Sequence, residues 1–164
     1  ATGPTKIDID VTVKATPAEV WTAWTTNEGL HTWMSPNTNV ECRIGGPFEI
    51  YFNAAAPAGE RGSDGCKILS YVPGEMLSYD WNAPPQFAHA RQNRTWVVIL
   101  LSAVGEKETK VRLVHLGWDD MQKAHPDHAA EWKQVHEYFT KAWAMKLGHL
   151  KQRFATGPMK WDEK

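Results

Sequence analysis

The chain has 164 residues, 42% hydrophobic and 23% charged, which is enough for one core that buries most of the unfolded chain's apolar surface. Eighteen basic residues against 19 acidic ones leave a net charge of −1, so there is no basic surface for nucleic acid and no acidic tail. The longest apolar run, Trp96 to Leu101, falls far short of the roughly 18 residues that cross a bilayer, so no membrane span is expected.

Lys6 to Lys14 alternates, with Ile7, Ile9, Val11 and Val13 on one face, and reads as a strand with one buried side. Thr16-Pro17-Ala18-Glu19 reads as a helix start. Thr16 is the N-cap, Pro17 takes the first helical position, and Glu19 closes a capping box. Val20, Trp21 and Trp24 form the apolar stripe of that helix. A second short helix is expected over Glu28 to Trp33, ended by Ser35-Pro36-Asn37.

Strands follow. Asn39 to Ile44 leads to the turn Gly45-Gly46-Pro47, and Phe48 to Asn53 alternates. After a loop over Ala54 to Ser63 come strands over Gly65 to Tyr71 and Leu77 to Asn82, joined at Pro73-Gly74. A second loop, Ala83 to Gln92, precedes strands over Thr95 to Ala103 and Thr109 to Leu116, and Gly117 breaks the last of these. A long helix should start at His125-Pro126-Asp127 and end near Arg153, with Trp132, His136, Phe139, Trp143, Lys146, Leu147 and Leu150 at helical spacing. Gly157-Pro158 stops it. This order predicts a single α+β domain over 1–164, with a core of 6–153 and a tail of 154–164. An antiparallel sheet should receive the long helix on its concave face.

Nine tryptophans run from Trp21 to Trp161. Rings of this size, each with an N–H donor, suit the wall of a cavity for an apolar or aromatic guest. A core filled by the rings themselves is the competing reading.

Five short segments carry a resemblance: Thr16-Pro17-Ala18-Glu19-Val20-Trp21, Trp33-Met34, Gly45-Gly46-Pro47-Phe48, Leu77-Ser78-Tyr79-Asp80-Trp81 and His115-Leu116-Gly117-Trp118. With Trp132, Tyr138-Phe139 and Trp143 behind them, the chain resembles the helix-grip superfamily of START domains, birch-pollen-allergen-like proteins and polyketide cyclases. Within it, the chain is most similar to the family named after the activator of the heat-shock-protein-90 ATPase. The resemblance implies a seven-stranded antiparallel sheet wrapped around the C-terminal helix, two short helices after the first strand, and a deep cavity between sheet and helix. Superfamily members bind lipids, hormones and polyketides, some are enzymes, and some contact protein partners.

The expected cavity wall comprises Phe48, Phe52, Trp81, Trp96, Phe139 and Trp143, with Trp33 near the mouth and His115 as a polar handle. His115 shares a face with Val111 and Leu113 and is the candidate acid or base, set against a histidine satisfied within the core. A cyclase, lyase or hydrolase would use it with a nearby carboxylate, and a chaperone-linked interaction domain is a further alternative. No metal or cofactor is expected. His128 and His136 are separated by about 12 Å of helix rise, too far for one ion, and Pro126 sets His125 at or before the first turn.

Asp119-Asp120 reads as a solvated or capping pair, and Glu49 and Asp80 should point outward. Arg91 and Arg94 form either a solvated rim or a clasp for an anion. Cys42 and Cys66 should be reduced, which favours the cytoplasm, with a removed leader left open because the chain begins at Ala1. A hydrophobic small molecule is the expected partner, and a homodimer is plausible because exposed rings such as Trp161 need cover.

Overall fold

A computed structural model describes residues 5–161. The first strand, β1 (Ile7–Val13), leads to α1 (Pro17–Thr25), and the capping box forms as its residues predict. Glu19 N donates to Thr16 Oγ1 and Thr16 N donates to Glu19 Oε1, each at 3.2 Å. The second helix, α2 (Asn27–Leu30), is shorter than expected, and Trp33 and Met34 lie in the turns that follow it. Thr26 caps it through Gly29 N at 2.9 Å.

Then come β2 (Thr38–Val40), β3 (Phe48–Ile50), β4 (Ile68–Val72) and β5 (Met76–Trp81). A short α3 (Ala88–Gln92) sits inside the segment expected to be a loop. It is followed by β6 (Thr95–Gly105) and β7 (Glu108–Leu116). Another short helix, α4 (Trp118–Ala124), and a 3-10 turn (Pro126–His128) precede the long α5 (Ala129–Thr156). The long helix therefore starts later than His125. Pro126 begins the 3-10 turn, and Asp119 and Asp120 occupy the first turn of α4, where its dipole favours them.

All neighbouring strands are antiparallel, in the order β1-β7-β6-β5-β4. The expected seven-stranded sheet is divided into these five and a two-stranded ribbon, β2-β3. The ribbon meets the segment that leads into β4 at the isolated bridges Pro47↔Lys67 and Tyr51↔Gly62, with Gly45 N donating to Ile68 O (2.8 Å) and Ile68 N to Gly46 O (2.9 Å), and Pro47, which has no N–H, interrupts a continuous ladder.

The concave face carries Ile7, Tyr79, Val97 and His115 in one cross-strand row. Against it α5 lays Trp132, Val135, Phe139, Trp143, Leu147 and Leu150, all buried. Burying six side chains of this size contributes on the order of 10 kcal/mol of hydrophobic driving force before entropy is counted. Gly117, at φ +104°, turns the chain from β7 into α4. A Cβ there would meet Trp96 Cζ3 at 2.9 Å, so both backbone conformation and space require glycine. The tail returns to the turn that follows the second helix: Met159 N donates to Thr32 O at 2.9 Å, and Trp161 Nε1 donates to His31 O at 2.6 Å. Trp161 is therefore half-covered by its own chain rather than left bare.

Candidate functional site

The concave interior is filled by interlocking rings. Trp81 lies 5.2 Å from Trp143, Phe139 is stacked on Trp143 at 6.0 Å, and Phe48 is stacked on Tyr79 at 4.0 Å. Open space begins at one end of this stack. There a cleft of about 390 Å³ lies between α5, the end of β5 and the two loops that flank it. Phe52, Trp81 and Phe139 supply its apolar surface. Tyr138, Asn82, Gln86, Glu60, Arg61 and Arg91 supply polar groups around it.

The loop wall is built by Asp64. Its carboxylate accepts from Gly59 N (2.9 Å), Arg61 N (2.9 Å), Gly62 N (2.8 Å) and Arg61 Nε (2.9 Å). Burial opposes its charge, but the Arg61 side chain and the Gly59 and Gly62 N–H groups outweigh this and hold the carboxyl below its usual range. Arg91 ties the two loops together, donating to Ala83 O (2.6 Å), Gly59 O (2.6 Å) and Gly62 O (2.9 Å). Arg94 lies apart from the cleft, on Asp80 (3.2 Å) and Gly65 O (2.7 Å).

The expected cavity residues divide. Phe52, Trp81 and Phe139 converge on the cleft, and Trp143 packs against Trp81 with its ring tilted by 46°. Phe48 is fully buried behind them. Two placements are corrected. Trp33 is not near a mouth: it is completely buried, edge-on to Trp24 at 4.6 Å, and its indole N–H donates to Ala23 O at 2.8 Å. Trp96 is not on the concave wall. Thr95 and Val97 take the inward positions on β6, and Trp96 faces a separate depression with Leu116, Trp118, Asp119 and Asp120.

His115 is fully buried rather than set at a rim. Trp143 Nε1 donates to its Nδ1 at 3.0 Å, so its proton sits on Nε2 and donates to Thr95 Oγ1 at 2.6 Å. Burial, with the neighbouring His136 adding to it, pushes this imidazole down to about 3. With both nitrogens bonded and the ring neutral, His115 holds the sheet to the long helix and has no free atom for a substrate.

The other histidines separate as well. His136 bonds Thr5 O at 2.6 Å. His125 and His128 gather instead around His89, a residue that its sequence context did not single out. His89 is stacked on His128 at 3.7 Å and accepts from Trp132 Nε1 at 3.1 Å. Desolvation, then the two neighbouring imidazoles, lower its affinity for a proton. Among the described residues no group of three or more histidine, cysteine or acidic side chains is placed to hold a metal ion.

Glu49 points away from the core and accepts from Gly65 N at 2.6 Å and from Asn39 Nδ2 at 2.9 Å. Cys42 and Cys66 are free thiols, and burial pushes the Cys66 thiol up to about 12, which makes it inert. No helix among the described residues is long and apolar enough to cross a membrane.

Among curated proteins, no match to this chain is found. Among solved structures, the solution structure of the Aha1 dimer from Colwellia psychrerythraea is similar with a TM-score of 0.65 at 21% identity, covering 94% of this chain and 98% of that one. CalU16 from Micromonospora echinospora is similar with a TM-score of 0.62 at 20% identity, covering 94% and 76%. PFC0360w, an HSP90 activator from Plasmodium falciparum, is similar with a TM-score of 0.65 at 15% identity, covering 96% and 100%. At these identities the likeness concerns the fold. The sequence model of the family described as "Activator of Hsp90 ATPase homolog 1-like protein" matches residues 14–152, so the chain belongs to that family.

Proposed function

We propose that this protein binds a bulky apolar or aromatic small molecule in the cleft beside Phe52, Trp81 and Phe139. One observation supports this most: an opening of about 390 Å³, within the usual range of small-molecule sites, begins where the aromatic stack of the core ends. Phe52 is 50% exposed, which costs hydrophobic free energy that an apolar guest would recover. Asp64 and Arg91 hold the surrounding loops in place beforehand, which lowers the ordering cost of binding. Thermal melting with a panel of one- to three-ring aromatic compounds tests the reading. A ligand at 100 times its Kd stabilises by about 2.7 kcal/mol, and a melting temperature that no compound raises overturns the proposal.

A second reading concerns assembly. We infer that two copies pair through the outer edge of β4. Gly45 N donates to Ile68 O at 2.8 Å, which sets Ile44 opposite Leu69, and Ile44, Leu69 and Val72 are all exposed. The Colwellia psychrerythraea protein of the same fold is described as a dimer. Light scattering behind size exclusion should give twice the mass of one chain, and Leu69→Lys should return the monomer mass. A wild-type mass of one chain at 100 µM, or a dimer that survives the substitution, contradicts this.

A further inference from the structure

We propose that the cleft selects an aromatic acid, with a flat apolar body on Phe52 and Trp81 and a carboxylate held by Arg61. This rests on the cleft being a ligand site and adds the ligand's chemical class. Trp81 is 3% exposed and lines the cleft, yet its indole N–H has no acceptor among the described residues. A buried donor left unpaired costs on the order of 1–3 kcal/mol, so this residue of the cleft lining gains from any oxygen that reaches its N–H.

Arg61 is held in place by Nε on Asp64 at 2.9 Å and by its guanidinium lying 4.2 Å over the Tyr51 ring. Nη1 and Nη2, the pair that binds a carboxylate in a fork, donate to nothing among the described residues. Asp64 pairs with Arg61 through Nε alone, and its remaining acceptor positions are taken by the Gly59, Arg61 and Gly62 N–H groups, so it leaves the Nη1–Nη2 fork free for a second carboxylate. Glu60, the only carboxylate among the lining residues, is exposed and screened by water. The Lys146 ammonium lies 5.2 Å from the Phe52 ring centroid and donates to Met34 O at 2.8 Å, which adds positive potential near the apolar wall. The free Arg61 fork and the unpaired Trp81 N–H are thus the donors that the cleft offers to a ligand's oxygens.

The test uses 2-naphthoate and its methyl ester, which share one ring system and differ in charge, titrated against tryptophan fluorescence of the intact protein. The acid should bind about tenfold tighter than the ester at low salt. That ratio should shrink as ionic strength rises and fall to about one in Arg61→Gln. Equal affinities in the wild-type protein overturn the proposed class while leaving an apolar cleft in place. If neither compound binds, the cleft reading fails with it. An acid preference that survives both high salt and Arg61→Gln places the carboxylate elsewhere and overturns the assignment to Arg61.

Discussion

Replacing His115 with alanine is expected to lower the unfolding free energy by about 4 kcal/mol, read as a fall in the urea midpoint at unchanged slope. The substitution removes a fully buried ring that contacts Trp118, Phe139 and Trp143, and it orphans two polar groups at once. Trp143 Nε1–H loses its acceptor and Thr95 Oγ1 loses its donor. His115→Gln, which can restore one of the two bonds, should recover part of the loss. A cost below about 1 kcal/mol for the alanine variant would show that the imidazole does not hold sheet to helix.

The same residue sets an acid limit on stability. Its pKa is 6.5 in the ordinary state and about 3 when folded, so between these values the unfolded chain takes up a proton that the folded one refuses. The contribution of the neutral ring is complete above about pH 6.5 and declines as pH falls towards 3, with a slope of at most about 1.4 kcal/mol per pH unit. His89, whose proton affinity is also lowered by desolvation and the His128 and His125 rings, acts in the same direction. In His115→Gln the decline of the urea midpoint between pH 6.5 and 4 should be shallower than in the wild-type protein.

Asp64→Ala should cost about 3 kcal/mol and abolish ligand binding together. The carboxylate gathers Gly59, Arg61 and Gly62 into one tight loop, with Arg91 Nη2 a further 3.6 Å away. Without it, three backbone N–H groups must find water, and Arg91 loses the ordered carbonyls of Gly59 and Gly62 that join the two walls. Asp64→Asn keeps one acceptor oxygen and should fall between wild type and alanine in both respects. Because the folded pKa is lowered, the contribution of Asp64 is present above the ordinary carboxylate value and lost as pH falls through the lowered one. An Asp64→Ala protein that melts like wild type and binds the same ligands would refute this account of the loops.

What the chain discloses by pattern alone follows from which interactions are local. The Thr16–Glu19 box spans three residues and the alternation of β1 spans seven, so both are legible without tertiary information. Trp96 shows the limit. Residues 95–101 are apolar on both faces in their middle, and size favours placing tryptophan inside. Tertiary pairing decides otherwise, because Thr95 must face inward to meet His115 across the sheet. Asp64 gave no periodic signal at all, since a carboxylate that organises a loop through backbone N–H groups leaves only an Asp-Gly pair in the sequence. The α3 and α4 helices leave no pattern in the sequence because helices of 5 and 7 residues lack two full turns of apolar spacing.

Nitrogen-15 NMR of the nine indole N–H groups during titration with an aromatic acid tests the ligand cleft most directly. The Trp81 resonance should move furthest, Trp143 behind it should move less, and Trp24, Trp33 and Trp96 should stay still. Saturable shifts centred on Trp96 and Trp118, or no shift of Trp81 at any ligand concentration, would place the site elsewhere or remove it.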